Sequence, residues 1–174
     1  EIDGQYHLLG VPSAFEMGLN HCRWIYKSGK HCFEVRSWTS KTSDRVNLNF
    51  KIVSGEPSKL LITNNFDKLN KWSIAPGDLP NEFIALPASG TMISEKFPNA
   101  QFRILINGNP DFEAGGEEFI NWQGSKTYNS FFVLKIGETN NFSMSFVGEV
   151  VESSNEKVFL DDDVLFENDC REAN

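Results

Sequence analysis

Asn47, Asn49 and Lys51, at alternate positions of Asn47-Leu48-Asn49-Phe50-Lys51, followed by Asn64 and Trp72, have the residue types to hold a hydroxyl-rich ligand. In an extended strand, successive side chains point to opposite faces, so Asn47, Asn49 and Lys51 share one face and Leu48, Phe50 and Ile52 the other. Two amides and an ammonium supply the donors and acceptors that sugar hydroxyls need, and an indole offers a flat surface for the apolar face of a pyranose ring. This chemistry suits recognition rather than bond breaking. A solvated sheet face shows the same Asn and Lys alternation, and Trp72 equally fits a buried core position.

Strands must position these residues. Short runs of aromatic and β-branched residues recur along the chain, and no window sustains a helical period. The predicted strands are Arg23 to Lys27, Cys32 to Trp38, Arg45 to Val53, Lys59 to Thr63, Glu82 to Leu86, Gln101 to Ile106, Phe131 to Ile136 and Phe142 to Val147. Gly, Pro, Asn and Ser clusters separate them, and Asn107-Gly108 is a strong signal for a tight turn, whose central positions need positive φ. Eight or more such strands predict an all-β, two-sheet antiparallel sandwich or a barrel.

The chain has 174 residues, 15 Phe and 4 Trp, enough for one domain with a sizeable core. No run approaches the roughly 18 apolar residues of a membrane helix, so membrane insertion is not expected. The formal charge is -8, and no concentrated basic patch is visible, which argues against a nucleic-acid partner. Residues 152–174 hold eight acidic and two basic residues and so carry -6 of that charge. The expected organisation is therefore a sandwich over residues 1–151 and an acidic extension over 152–174.

His21-Cys22 and His31-Cys32 are candidate metal ligands by type, but strand neighbours point to opposite faces, so the four cannot converge. A Cys22–Cys32 disulfide across a hairpin is the favoured reading, with reduced thiols as the alternative; Cys170 is left over. Asn141-Phe142-Ser143 is an N-glycosylation acceptor pattern, which favours a secreted or extracellular protein. No nucleophile elbow, phosphate-cradling Gly loop or paired catalytic carboxylates stand out, and Glu117-Glu118 and Asp161-Asp162-Asp163 read as solvated runs. The expectation is a non-enzymatic chain without metal or cofactor.

Asn47-x-Asn49-x-Lys51, Ile62-Thr63-Asn64 and Trp72, in this order, resemble the sugar-binding strands of a galectin domain, over roughly Val11 to Val147. Phe102 to Gly108 is similar to that family's core strand with its Asn-Gly turn, Phe131 to Phe146 to its closing strands, and Val11-Pro12 and Gly18-Leu19 to its opening. Asn47 stands for a His, Lys51 for an Arg, and Ala75 and Gly77 for the Glu and Arg that follow the family's Trp. Lys lacks the planar fork of Arg, so the resemblance implies a carbohydrate-binding, lectin-like module with altered or weak galactoside specificity. The implied partner is a glycan or glycoprotein, and a sheet-edge homodimer fits the resemblance. The alternative is a protein-interaction or adhesion domain that has lost sugar binding.

Overall fold

The computed structural model describes residues 1, 4–66, 72–116, 119–120 and 131–151. Among the described residues, alternating apolar residues form eleven strands: β1 Ala14–Met17, β2 His21–Ser28, β3 His31–Thr39, β4 Arg45–Ser54, β5 Ser58–Asn65, β6 Trp72–Pro76, β7 Glu82–Pro87, β8 Ala100–Ile106, β9 Phe112–Gly115, β10 Phe131–Thr139 and β11 Asn141–Val150. One short helix, α1 Met92–Lys96, precedes β8; the Thr91 side chain accepts from the Ser94 backbone N–H, and the Ser94 hydroxyl accepts from that of Thr91.

The strands make two antiparallel sheets, so the all-β sandwich expected from sequence is the fold. The larger sheet runs β1-β2-β3-β4-β11-β8-β7-β6, and the smaller runs β5-β10-β9. Short connections join the layers: residues 55–57 carry β4 into β5, residues 107–111 carry β8 into β9, and Asn140 carries β10 into β11. The paired strands β4 and β11 therefore face the paired strands β5 and β10.

The core lies between the sheets. Phe33 from β3, Phe50 from β4, Phe142 and Met144 from β11, and Ile104 and Ile106 from β8 meet Phe132, Leu134 and Ile136 from β10. Leu48 and Ile52 pack against the same cluster, as the alternation in β4 requires. The Phe83 ring stands 5.0 Å from Phe132 and 6.2 Å from Phe112, which sets β9 and β10 over the β7 side of the large sheet.

Every predicted strand is present, lengthened by a few residues at most. Three short strands, β1, β6 and β9, and the helix escaped the sequence reading. Asn107-Gly108 is also used differently from a two-residue hairpin: Gly108 takes φ +74°, but β8 and β9 lie in different sheets. The corner redirects the chain between layers. The acidic residues 152–174, Cys170, Glu117 and Glu118 lie outside the described residues.

Candidate functional site

The register of the large sheet assigns each side chain to a face. Phe50 is opposite Val35 and Phe142, so these share the core face, and Asn49 is opposite Arg36 and Ser143 on the outer face. Asn47 lies between Trp38 and Ser145 on the same outer face. The sequence-predicted trio Asn47, Asn49 and Lys51 is thus kept together, but only Lys51 is exposed. Asn47 is 1% exposed, and its side-chain carbonyl accepts the Ser145 hydroxyl at 2.7 Å. Asn49 donates from Nδ2 to Asn141 Oδ1 at 2.8 Å and to the Phe142 carbonyl at 3.3 Å. Each amide makes a cross-strand bond within the sheet, although the buried Asn47 Nδ2 has no hydrogen-bond partner. They are not a wet face.

Trp72 and Asn64 lie elsewhere. Trp72 is opposite Pro87 in β6–β7, on the side that carries Phe83 and Ala85, which is the core face. It packs in an aromatic cluster, 5.6 Å from Phe66 and 5.4 Å from Phe102 between ring centroids. Asn64 belongs to the other sheet, opposite Phe132 of β10. The five residues read as one constellation are therefore divided among the outer face of the large sheet, its inner face and the small sheet.

The outer face does carry an ionic network that sequence reading missed. The Glu34 carboxylate, buried on β3, pairs with Nε of Arg23 on β2 and with Nε of Arg36 on its own strand, and Arg23 also reaches Glu16 on β1 at 3.3 Å. The hydrogen bond to Glu34 raises the Arg23 pKa further above its already high value. Across the sheet, Arg103 on β8 grips Glu149 on β11 with two hydrogen bonds, of 3.2 Å from Nε and 2.7 Å from a terminal nitrogen. Burial pushes the Glu149 carboxyl up, but hydrogen bonds from Arg103 and Gln101 outweigh it and leave the pKa below the ordinary value. Buried Glu82 lies 3.6 Å from Arg103 and accepts the backbone N–H groups of Asp78 and Leu79. The signal was charge at alternate positions, as in Glu34-x-Arg36, on strands that also alternate apolar residues.

A shallow cavity of about 420 Å³ opens beside Glu82, lined by Leu79, Pro80, Asn81, Leu105, Gly108 and Asn109. Its walls are largely apolar. Among the described residues, no group of three or more His, Cys, Asp or Glu side chains comes together to hold a metal. Nor is any helix there long and apolar enough to cross a membrane.

Cys22 and Cys32 are free thiols, contrary to the disulfide expected. Cys22 is opposite Ser37 and Cys32 opposite Lys27, an offset of five residues along the hairpin. At about 3.4 Å per residue, the offset exceeds the roughly 7 Å that a disulfide spans between Cα atoms. Asn141 sits at the start of β11, exposed, and its side-chain oxygen holds Asn49.

The model of the glycoside phosphorylase supersandwich domain matches residues 1–148. The chain belongs to this family. Over 111 residues it is also 28% identical to a 1,2-beta-oligoglucan phosphorylase of Listeria innocua serovar 6a, which covers 60% of this chain but 10% of that relative. The chain therefore spans about a tenth of the length of the curated relative. These matches overturn the galectin resemblance, and with it both the lectin-like module and the adhesion-domain alternative. They also overturn the reading of this chain as non-enzymatic, since the family whose model it matches is one of glycoside phosphorylase domains. A glycan partner agrees with the supersandwich family in the general sense that its name concerns glycosides. The misleading likeness has a physical origin: two-sheet antiparallel sandwiches repeat the same strand lengths, Asn-Gly corners and polar–apolar alternation whatever their function.

Proposed function

We propose that this supersandwich chain is the β-sandwich module of a glycoside phosphorylase acting on a β-linked glucan oligosaccharide. The observation that carries this reading is the family match across residues 1–148. The oligoglucan phosphorylase relative supports the substrate class. A phosphorylase transfers a glycosyl unit to inorganic phosphate, which calls for a carboxyl acid at the leaving oxygen and donors for the phosphate. The best-buried carboxylates on the large sheet, Glu34 and Glu82, are instead tied to arginines and backbone N–H groups. In this reading the sandwich supplies a rigid scaffold, and the reacting groups come from other parts of a longer polypeptide.

The test is phosphate-dependent cleavage of β-1,2-linked glucooligosaccharides, followed as release of glucose 1-phosphate. The full-length polypeptide carrying this chain is expected to release it, and the 174-residue chain alone is not. No release by the full-length protein from any β-linked glucooligosaccharide would sink the reading, and release by the chain alone would sink the scaffold assignment.

A further inference from the structure

The outer face of the large sheet is buried more deeply than a solvated face would be. Trp38 stands there in one row with His21 on β2, Asn47 on β4, Ser145 on β11 and Leu105 on β8. It is 2% exposed, and Ser145 3%. Strand neighbours flank a tryptophan within the sheet but leave its outward side open, so a side chain this large is hidden only where something lies over it. The small sheet is on the wrong side, since Phe132, Leu134 and Ile136 of β10 pack on the core face. Helix α1 has no buried residue. The N-terminus is engaged elsewhere: the Glu1 amine donates to the Lys59 carbonyl on β5, and burial, with Glu1 and Glu113 of β9 nearby, raises the Tyr6 pKa.

Two donors on the same face call for an acceptor. Asn47 is 1% exposed with its Nδ2 unpartnered, and Nε of Arg45, two residues back, is buried and equally without a partner. Arg23, Arg36 and Arg103 hold carboxylates on this face, whereas among the described residues Arg45 and Lys51 pair with none. The chain itself leaves the sheet close by. β11 ends at Val150, and the Val151 N–H donates to the Asn99 carbonyl. Val147 is opposite Arg45 and Ser145 opposite Asn47, so a chain that turns back over the outer face after Val151 passes Arg45 before it meets the row of Trp38. That row lies roughly 20 Å back along β11, a distance that residues 152–158 span when extended. We infer that residues 152–174 fold back over the outer face of the large sheet and seat Val158-Phe159-Leu160 on Trp38. Glu152 and Glu156 then pass beside Arg45, and the -6 charge of the segment meets the cations that no carboxylate of the sheet holds. This docking is independent of the phosphorolytic reading.

Exchange of each indole N–H with water, followed by nitrogen-15 NMR on the 174-residue chain, tests it. Phe159→Ser removes the apolar anchor and is expected to speed exchange at Trp38 by about tenfold, with Trp72 in its aromatic cluster on the core face unchanged. Unchanged exchange at Trp38 overturns the inference. Acceleration at both indoles would mean that the variant has lost the fold, and a second measurement then decides without touching the triplet. A nitroxide on Cys170, in the chain carrying Cys22→Ser and Cys32→Ser, is expected to broaden the Trp38 indole signal more than that of Trp24, which shares the core face with Val35. Equal broadening, or the reverse order, overturns the inference. So does broadening that passes from a nitroxide-labelled chain to a separate isotope-labelled one, which would make a second copy the cover.

Discussion

Asn49 and Trp72 stand on opposite faces of one sheet: Asn49 is opposite Ser143 on the outer face, and Trp72 opposite Pro87 on the core face. No ligand on one surface of that sheet touches both. The indole acts within an aromatic cluster, and the amide acts as a cross-strand tie.

Trp72→Ala should therefore behave as a core truncation. Removing a ring that packs on Phe66 and Phe102 is expected to lower stability by about 2–4 kcal/mol, at the lower end of buried aromatic truncations because the residue is half-buried. Urea unfolding measures it, and a loss under about 0.5 kcal/mol would contradict the packing role.

Glu34→Ala leaves Arg23 and Arg36 without the carboxylate they share. The expected loss is about 2–3 kcal/mol, below the value for a fully buried pair because the Arg23 side chain is 40% exposed. Arg23→Ala should cost less than Glu34→Ala, and a double-mutant cycle between them should show coupling.

Stability should fall in acid partly through Glu149. Its folded-state pKa is held below the ordinary carboxylate value, so its contribution is present above that value and is lost as pH falls through the folded pKa. Glu149→Gln should flatten the dependence of unfolding free energy on pH in the acid range. An identical slope in both proteins would remove Glu149 from the account.

Gly77→Ala probes the loop that holds Glu82. A Cβ at Gly77 would stand 2.5 Å from the Glu82 Cγ and 2.6 Å from its Oε2, the atom that accepts the Asp78 and Leu79 N–H groups. A loss of about 1–3 kcal/mol is expected from the displaced carboxylate. Retention of full stability in thermal unfolding would show that the loop yields freely.

Free thiols at Cys22 and Cys32 predict that a reductant leaves the melting temperature unchanged. Alkylation of the denatured, unreduced protein should label both peptides. A linked Cys22–Cys32 peptide would contradict the register of the β2–β3 hairpin.

Local alternation is a property of the sequence alone. Leu48, Phe50 and Ile52 against Asn47, Asn49 and Lys51 assign the two faces of β4 without any knowledge of its neighbours, and eight strands and the sandwich class follow from such runs. The four- and five-residue strands β1, β6 and β9 are too short for the pattern to declare itself. Exposure of a polar face was not legible either, because Asn47 and Asn49 are buried by side chains from β3 and β11, far away in sequence. Nor could spacing say which sheet each strand joins. Asn47, Asn64 and Trp72 follow one another along the chain, yet β4, β5 and β6 occupy the middle of one sheet, an edge of the other and the far edge of the first. A side-chain period of two is set by the backbone of one strand, whereas strand order is set by which long-range pairings bury the most apolar surface, and only the folded chain resolves that competition.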